Sequence, residues 1–352
     1  MDGTVGNIEQ DLIAAIEPIR GFVLASSACH FFDSGVFDYL RDNGSASVAR
    51  IAVDLNLNTK KLRGLLDYLV NENLVIRQEN DYRLGERAIQ MHRFRGWYTM
   101  LIGGYGHTFL QMGNVLGSAT GWAARDAAKV GIGSCEISRF DAMPLTRSLM
   151  AKAPGRKRNL LDLGCGNALY LAEFCQANPE LHALGVEPDR GGYEAGLATI
   201  ERYGLEDRVS LVNLGAVEFM SSAIPFDPDF LILGFVLHEI VGTEGQAGTV
   251  QFLRSIIARF PQIRLIVIEV DERSREAQVM QHGLSLAYYN PYYLLHSFTA
   301  QQLLPHATWL ELFAEAGLEV LATESTAESV DSTQLEIGYL LRAAPVRGGQ
   351  HE

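Results

Sequence analysis

Leu160-Leu-Asp-Leu-Gly-Cys-Gly-Asn-Ala-Leu-Tyr170 begins as an apolar run, turns on two glycines and passes into the helical pattern Leu169-Tyr-Leu-Ala-Glu-Phe-Cys175. A second apolar run follows and ends at Gly185-Val-Glu187-Pro-Asp189. Outward from this core, strand-like runs at 159–163, 183–186, 209–213, 230–234 and 264–269 alternate with helical ones. Such alternation is the signature of right-handed βαβ units whose parallel sheet is covered on both faces. The expected fold class is therefore α/β, with a Rossmann-like sheet domain.

The glycine turn lets backbone approach a ligand at a helix N-terminus. Glu187, about 20 residues on, stands where a carboxylate can accept hydrogen bonds from both ribose hydroxyls. A dinucleotide is the competing ligand, since its pyrophosphate would sit at the same helix start. Asp162 argues against it, because a carboxylate there repels a pyrophosphate and attracts the ammonium of a methionine moiety. S-adenosylmethionine is the expected cofactor, held by Asp162, Gly164, Gly166 and Glu187, with Phe235 at the end of the fourth strand as a further contact.

On these motifs residues 154–343 resemble the class I methyltransferase fold. In that family an acid often follows the third strand, here within Arg208-Val-Ser-Leu-Val-Asn-Leu-Gly-Ala-Val-Glu-Phe219. Gly215 stands in its place, so the resemblance implies an adenine contact through backbone near Ala216. The end of the chain also matches, with a helix Trp309-Leu-Glu-Leu-Phe-Ala-Glu-Ala-Gly-Leu318, a strand, and a final strand Leu335-Glu-Ile-Gly-Tyr-Leu-Leu341.

At 352 residues the chain is long enough for two domains. Apolar periodicity from Ile8 to Asn43, broken at Asp33-Ser-Gly35, predicts two helices. Ser47 to Val70 reads as helix, turn and helix, and Leu74 to Leu84 as two short strands around Glu-Asn-Asp. That pattern is a winged helix, here expected to be a mainly helical dimerisation domain over 1–96. Residues 97–153 are expected as a helical linker contributing to the substrate pocket, and 344–352 as a tail.

A winged helix also raises DNA binding. The second helix carries only Lys60, Lys61 and Arg63 as bases, and the net charge of −13 repels a polyanion. A homodimer without nucleic acid is the expected assembly. No basic segment leads into an apolar run at the N-terminus, no apolar stretch is read as long enough for a bilayer, and Cys29, Cys135, Cys165 and Cys175 lack metal-type spacing. These features predict a cytoplasmic protein, with no membrane partner and reduced thiols.

Reactive residues in an open α/β sheet gather at the C-terminal ends of strands. The fourth strand delivers His238-Glu239 there. A winged-helix domain before such a fold resembles small-molecule O-methyltransferases, in which a histidine at this position is the general base. In them an acid and a tryptophan usually follow, whereas here Glu239 leads to Ile240-Val-Gly242. Two further segments stand out: Ala287-Tyr-Tyr-Asn-Pro-Tyr-Tyr-Leu-Leu-His296, and Gly133-Ser-Cys-Glu-Ile-Ser-Arg139-Phe-Asp141. With His238 they resemble the metal-dependent C-methyltransferases of 2-oxo acids: phenylpyruvate, 4-methyl-2-oxovalerate or 5-guanidino-2-oxopentanoate. The resemblance implies transfer of a methyl group to the β-carbon of a small 2-oxo acid on the way to a β-methyl amino acid.

Chemistry supplies a separate reason for two histidines. The β-carbon is nucleophilic only after losing a proton, and a cation chelated by the carboxylate and ketone oxygens stabilises the resulting enolate. Two neutral imidazoles, His238 and His296, leave positions open for that substrate and suit iron or zinc. Glu239 is expected to orient a ligand histidine or a water. Arg139 is expected to hold the substrate carboxylate, the competing role being an ion pair with Asp141 or Glu136. A metal-independent O-methyltransferase with His238 as general base is the alternative.

Overall fold

Apolar residues on both sides of a strand need a cover on both faces, and the runs around the glycine turn receive one. In the computed structural model, which describes residues 7–117 and 121–345, the chain divides into two compact units, one ending at Gly103 and the other starting at Gly104. The division falls within the π-helical stretch Thr99–Gly104. The segment 97–153, read above as one linker, is thus split between the units. From 346 onward the expected tail lies outside the described residues.

In the first unit, α1 (Ile8–Asp33) stops at Ser34 and Gly35, where the backbone turns left-handed (φ 76°), and α2 (Val36–Asn43) follows. After β1 (Ser45–Ser47) come α3 (Val48–Asp54) and α4 (Thr59–Asn71). The Ser47 hydroxyl accepts from Arg50 N–H, and the Asn58 amide oxygen from Lys61 N–H at 3.0 Å, so both helix starts are capped. The strands β2 (Val75–Gln78) and β3 (Asp81–Leu84) form a hairpin that completes a three-stranded antiparallel sheet in the order β1-β3-β2. The helices α5 (Glu86–Arg93) and α6 (Arg95–Tyr98) close the unit, whose core centres on Phe31, Phe37, Ile51, Leu66 and Tyr82.

Helix α1 corrects one expectation. By length and composition it could cross a bilayer, yet only 11% of its most apolar window is buried within the structure. The sequence reading sought an unbroken apolar run. On one continuous helix, the few charges around Glu17 and Arg20 leave the average apolar all the same. Ile8, Leu12, Ile13, Ile16, Ile19, Phe22 and Val23 all stand exposed.

In the second unit the helices α7 (Gly106–Val115), α8 (Ala127–Ser138) and α9 (Ala142–Lys152) precede the sheet. Then β4 (Asn159–Leu163), α10 (Leu169–Ala177), β5 (His182–Val186), α11 (Arg190–Tyr203), β6 (Val209–Val212), α12 (Ala216–Ser221), β7 (Phe230–Gly234), α13 (Leu237–Arg259) and β8 (Arg264–Val270) alternate as expected. The short α14 (Ala277–Met280) and a π-helical turn, Ser285–Tyr289, lead into α15 (Asn290–His296). Helix α16 (His306–Glu315) and strands β9 (Leu318–Ser325) and β10 (Glu336–Ala343) complete the unit.

The seven strands run in the order β6-β5-β4-β7-β8-β10-β9, with β4 to β8 parallel and β10 antiparallel to both neighbours. One apolar core, around Leu231, Val267, Trp309, Phe313 and Tyr339, packs against α13 and α16. The other, around Leu145, Leu149, Leu160, Leu171 and Ile268, packs against α9 and α10. The chain runs outward from β4 to β6 and returns to β7, so strand order reverses between β4 and β7. A crevice for a ligand opens at such a reversal.

Candidate active site

The glycine turn after β4 lies at that reversal. Gly164 has φ 83°, and a Cβ there would meet the Val236 side chain at 2.6 Å, so only glycine fits between β4 and the start of α13. Glu187, at the end of β5, accepts from the N–H groups of Gly166 (2.8 Å) and Asp189 (2.9 Å) and ties the turn to the next strand. Asp162 is buried beneath it. Burial, with the field of Glu187 added, pushes its carboxyl up to about 7, and the same burial raises Glu187. A cationic ammonium brought against Asp162 would relieve that cost.

Asp162, Gly164, Gly166 and Glu187 therefore share one locus. Phe235 follows β7 in a left-handed conformation (φ 59°), its N–H donating to Ile268 O. Gly215 caps α12, and Ala216 is the first residue of that helix. Two thiols belong to the turn. Cys135 donates to the Cys165 carbonyl, burial pushes Cys135 up to about 12, and Cys165 is raised well above its ordinary range by burial and the nearby carboxylates.

His238 and Glu239 open α13, and His296 closes α15. The His238 and His296 ring centroids lie 5.1 Å apart, and both side chains are buried. Each imidazole is held at Nδ1: that of His238 by Glu269 at 2.8 Å, that of His296 by the Tyr292 carbonyl at 2.7 Å. A carbonyl only accepts, so His296 carries its proton on Nδ1 and presents a bare lone pair on Nε2. That buried Nε2 has no hydrogen-bond partner. Burial, reinforced by His238, holds His296 well below the ordinary histidine range. Burial works against the charged form of His238 too, but Glu269 outweighs it and leaves that residue raised.

Three residues not singled out from the sequence complete the cluster. Gln301 Nε2 lies 3.2 Å from His238 Nε2 and donates to Glu239 at 3.0 Å, while its oxygen accepts from Tyr105 and Thr299. Arg125 donates to Glu239 at 2.9 Å and, more weakly, to the Tyr105 hydroxyl. Burial would raise the Glu239 carboxyl, but Arg125 holds it below its ordinary value. Gly242, two residues past Ile240 where the O-methyltransferase pattern departs, explains how Gln301 arrives. A Cβ at Gly242 would strike Ala300 O at 2.5 Å and Gln301 Cα at 2.7 Å, and Gln302 N–H donates to His238 O.

The partner of the histidine is therefore Glu269, while Glu239 is paired with Arg125 and Gln301. Arg139 is not brought into this cluster. It follows α8, and its guanidinium donates to Glu173 (2.9 Å) and the Tyr203 hydroxyl (3.0 Å). Arg125, which was not a candidate from the sequence, acts on both histidines instead. Its sequence signal was weak, a lone base in 121–126 between helices.

No family model matches the chain. It is 39% identical over 338 residues, 95% of this chain and 96% of the other, to the 2-ketoarginine methyltransferase of Streptomyces arginensis. It is 22% identical over 241 residues, 67% of this chain and 69% of the other, to Methyltransferase ungE' of Aspergillus campestris (strain IBT 28561). Among solved structures, the mitomycin 7-O-methyltransferase MmcR superposes with a TM-score of 0.62 at 16% identity, covering 96% of this chain and 99% of that one. The O-methyltransferase NcsB1 from neocarzinostatin biosynthesis, solved with S-adenosylmethionine and 2-hydroxy-5-methyl naphthoic acid, gives 0.60 at 18%, covering 91% and 96%. At those identities the solved structures speak for the fold alone. The first relative, aligned along almost its whole length, decides the family: the chain belongs to the S-adenosylmethionine-dependent methyltransferases that include 2-ketoarginine methyltransferase.

Proposed function

We propose that the chain transfers the methyl group of S-adenosylmethionine to the β-carbon of a small 2-oxo acid at a site where His238 and His296 hold an iron or zinc ion. The observation that carries this reading is the buried, unpartnered Nε2 of His296, on a ring whose centroid lies 5.1 Å from that of His238. The relative's name, 2-ketoarginine methyltransferase, supports a 2-oxo acid as the acceptor class. In that transfer the β-carbon gives up a proton to a general base or solvent water, its electron pair takes the methyl, and the C–S bond breaks to leave S-adenosylhomocysteine.

His296 Nε2 is free to take a metal, and a metal at His238 Nε2 would take the place of the Gln301 amide that now lies 3.2 Å from it. Imidazoles that bind metals through one nitrogen are commonly fixed at the other by a carboxylate or a carbonyl, as Glu269 and Tyr292 O fix these two. Among the described residues no group of three His, Cys, Asp or Glu side chains is placed to hold a metal, so two protein ligands would leave positions for substrate and water. A metal there would act as a Lewis acid toward the carbonyl of the 2-oxo acid. The chain's own part is to fix both rings, to screen them from water with Tyr105 and Tyr292, and to orient Gln301 and Glu239 through Arg125.

Metal analysis of the purified protein, repeated on His296→Ala, tests the proposal. Stoichiometric metal lost in the variant together with C-methylation of 2-oxo acids supports it. A metal-free enzyme indifferent to chelators points to the second reading, O-methylation with His238 as base, which the buried His238–Glu269 pair favours.

We further propose that two chains associate through α1. Its exposed apolar face is too extensive for an isolated soluble unit, and a second copy would cover it.

A further inference from the structure

Three neighbouring parallel strands bring polar residues to one edge of the sheet. Asp162 lies near the end of β4, Glu187 follows β5, and Asn213 follows β6. The order β6-β5-β4 sets them side by side, and Glu187 N–H donates to Val212 O at 3.0 Å, which carries the ladder between β5 and β6 to this edge. S-adenosylmethionine has the same linear order: an ammonium-bearing chain, a ribose and an adenine. With the ammonium at Asp162 and the ribose at Glu187, the base falls at the end of β6.

Adenine presents a 6-amino donor, which needs an acceptor once water is excluded. Asn213 and Glu218 are the polar side chains in 213–218, because Gly215 stands where an acid was expected. Glu218 is exposed and turns back to the Gly215 N–H at 3.4 Å. Asn213 is half-buried, and its Nδ2 donates to the carbonyls of Glu187 (2.8 Å) and Pro188 (3.0 Å). Carbonyls only accept, so the amide has one orientation: its nitrogen is committed to the neighbouring strand end, and its Oδ1 is left as an acceptor. Among the described residues none donates to that oxygen. The two bonds also brace it against the residue that supplies the ribose carboxylate.

We infer that Asn213 reads the base of the methyl donor: its Oδ1 accepts from the adenine 6-amino group, in place of the acid missing at Gly215. The assignment rests on the donor lying at the glycine turn. A 6-oxo base would set a carbonyl oxygen against Oδ1, two acceptors with no proton between them, and the site would reject it.

Calorimetric titration of the full chain with S-adenosylhomocysteine and with S-inosylhomocysteine, its 6-oxo counterpart, tests this. The parent protein should bind the 6-amino ligand roughly 10- to 100-fold more tightly. Asn213→Ala should bring that ratio close to unity, as should Asn213→Ser, whose hydroxyl can still donate to one of the two carbonyls. Gly215→Asp added to Asn213→Ala should restore the preference, since the nearest atom to a Cβ at Gly215 is Glu218 Cβ at 4.0 Å and a carboxylate has room. A parent protein that binds both ligands equally would overturn the role of Asn213. So would variants that weaken both ligands alike and keep the ratio, which would reduce Asn213 to a brace between β5 and β6. Gly164→Ala separates the underlying reading. If that variant binds S-adenosylhomocysteine as the parent does, the donor lies elsewhere and the assignment falls with it. Binding lost in Gly164→Ala, with the ratio kept in both Asn213 variants, overturns Asn213 alone.

Discussion

Both oxygens of Glu269 face His238: one lies 2.8 Å from Nδ1, and the other accepts the backbone N–H of the same residue at 3.2 Å. A single carboxylate at the end of β8 thus fixes both the ring and the first turn of α13. Glu269→Gln keeps the shape but removes the charge. It should lower kcat by roughly 10- to 100-fold with little change in the Kd for S-adenosylmethionine. An equal loss of donor affinity would show that Glu269 acts on the whole turn and not on His238.

His296→Ala removes the unpartnered nitrogen, and Tyr292 O then loses its donor. Bound iron or zinc should fall from near stoichiometric to trace, and C-methyl transfer with it. Circular dichroism and donor binding should stay near those of the parent. Metal retained in full by this variant would remove His296 from the ligand set.

Two glycines separate donor binding from acceptor chemistry. Gly164→Ala places a methyl group 2.6 Å from Val236 at a positive φ, costing about 1–2 kcal/mol in backbone strain alone, and should abolish S-adenosylmethionine binding by calorimetry. Gly242→Ala pushes on Gln301 and should lower kcat while the donor Kd stays within about twofold. The prediction fails if both variants lose donor affinity alike.

The Asp141 carboxyl has its pKa raised to about 7 in the folded chain from an ordinary 3.8. The folded state therefore keeps a proton that the unfolded chain releases, and stability falls as pH rises from about 4 to about 7, then levels. Asp141→Asn removes that loss while retaining the cap. The ligand-free variant should melt at a higher temperature than the parent at pH 8, by at most a few kcal/mol in stability, and much closer to it at pH 5. A lower Tm at pH 8 would show that the carboxylate stabilises the fold without a ligand.

Replacing Ile16 and Ile19 on α1 with aspartate should convert a dimer to a monomer by light scattering. Both residues are exposed, so folding of the unit itself should survive. Two-chain mass persisting in the double variant would place the interface elsewhere.

Much of the sheet was legible because continuous apolar runs define central strands; 159–163 and 230–234 match β4 and β7 residue for residue. The grouping of Asp162, Gly164, Gly166 and Glu187 was legible too, since strand, acid, glycine turn and helix are adjacent in sequence. The cluster around the two histidines was legible only in part. His238 and His296 stood out by type and setting, but Glu269 read merely as the last residue of a strand. Only the register that pairs Gly234 with Ile268 brings it beside a residue 31 positions away. Arg125, Tyr105 and Gln301 come from three distant segments with no local pattern. Arg139 carried the more suggestive surroundings, yet the turn after α8 directs it to Glu173. Helix α1 was missed as a long apolar element because its scattered charges interrupt the run without interrupting the helix.

The two thiols of the glycine turn have a consequence for an enzyme of this kind. A sulfonium methyl donor alkylates soft nucleophiles readily, and a thiolate is among the best of them. Cys135 and Cys165 are kept protonated by the same burial that shapes the donor turn. At the proposed donor site the raised thiol pKa values leave both sulfurs poor nucleophiles toward the sulfonium methyl group.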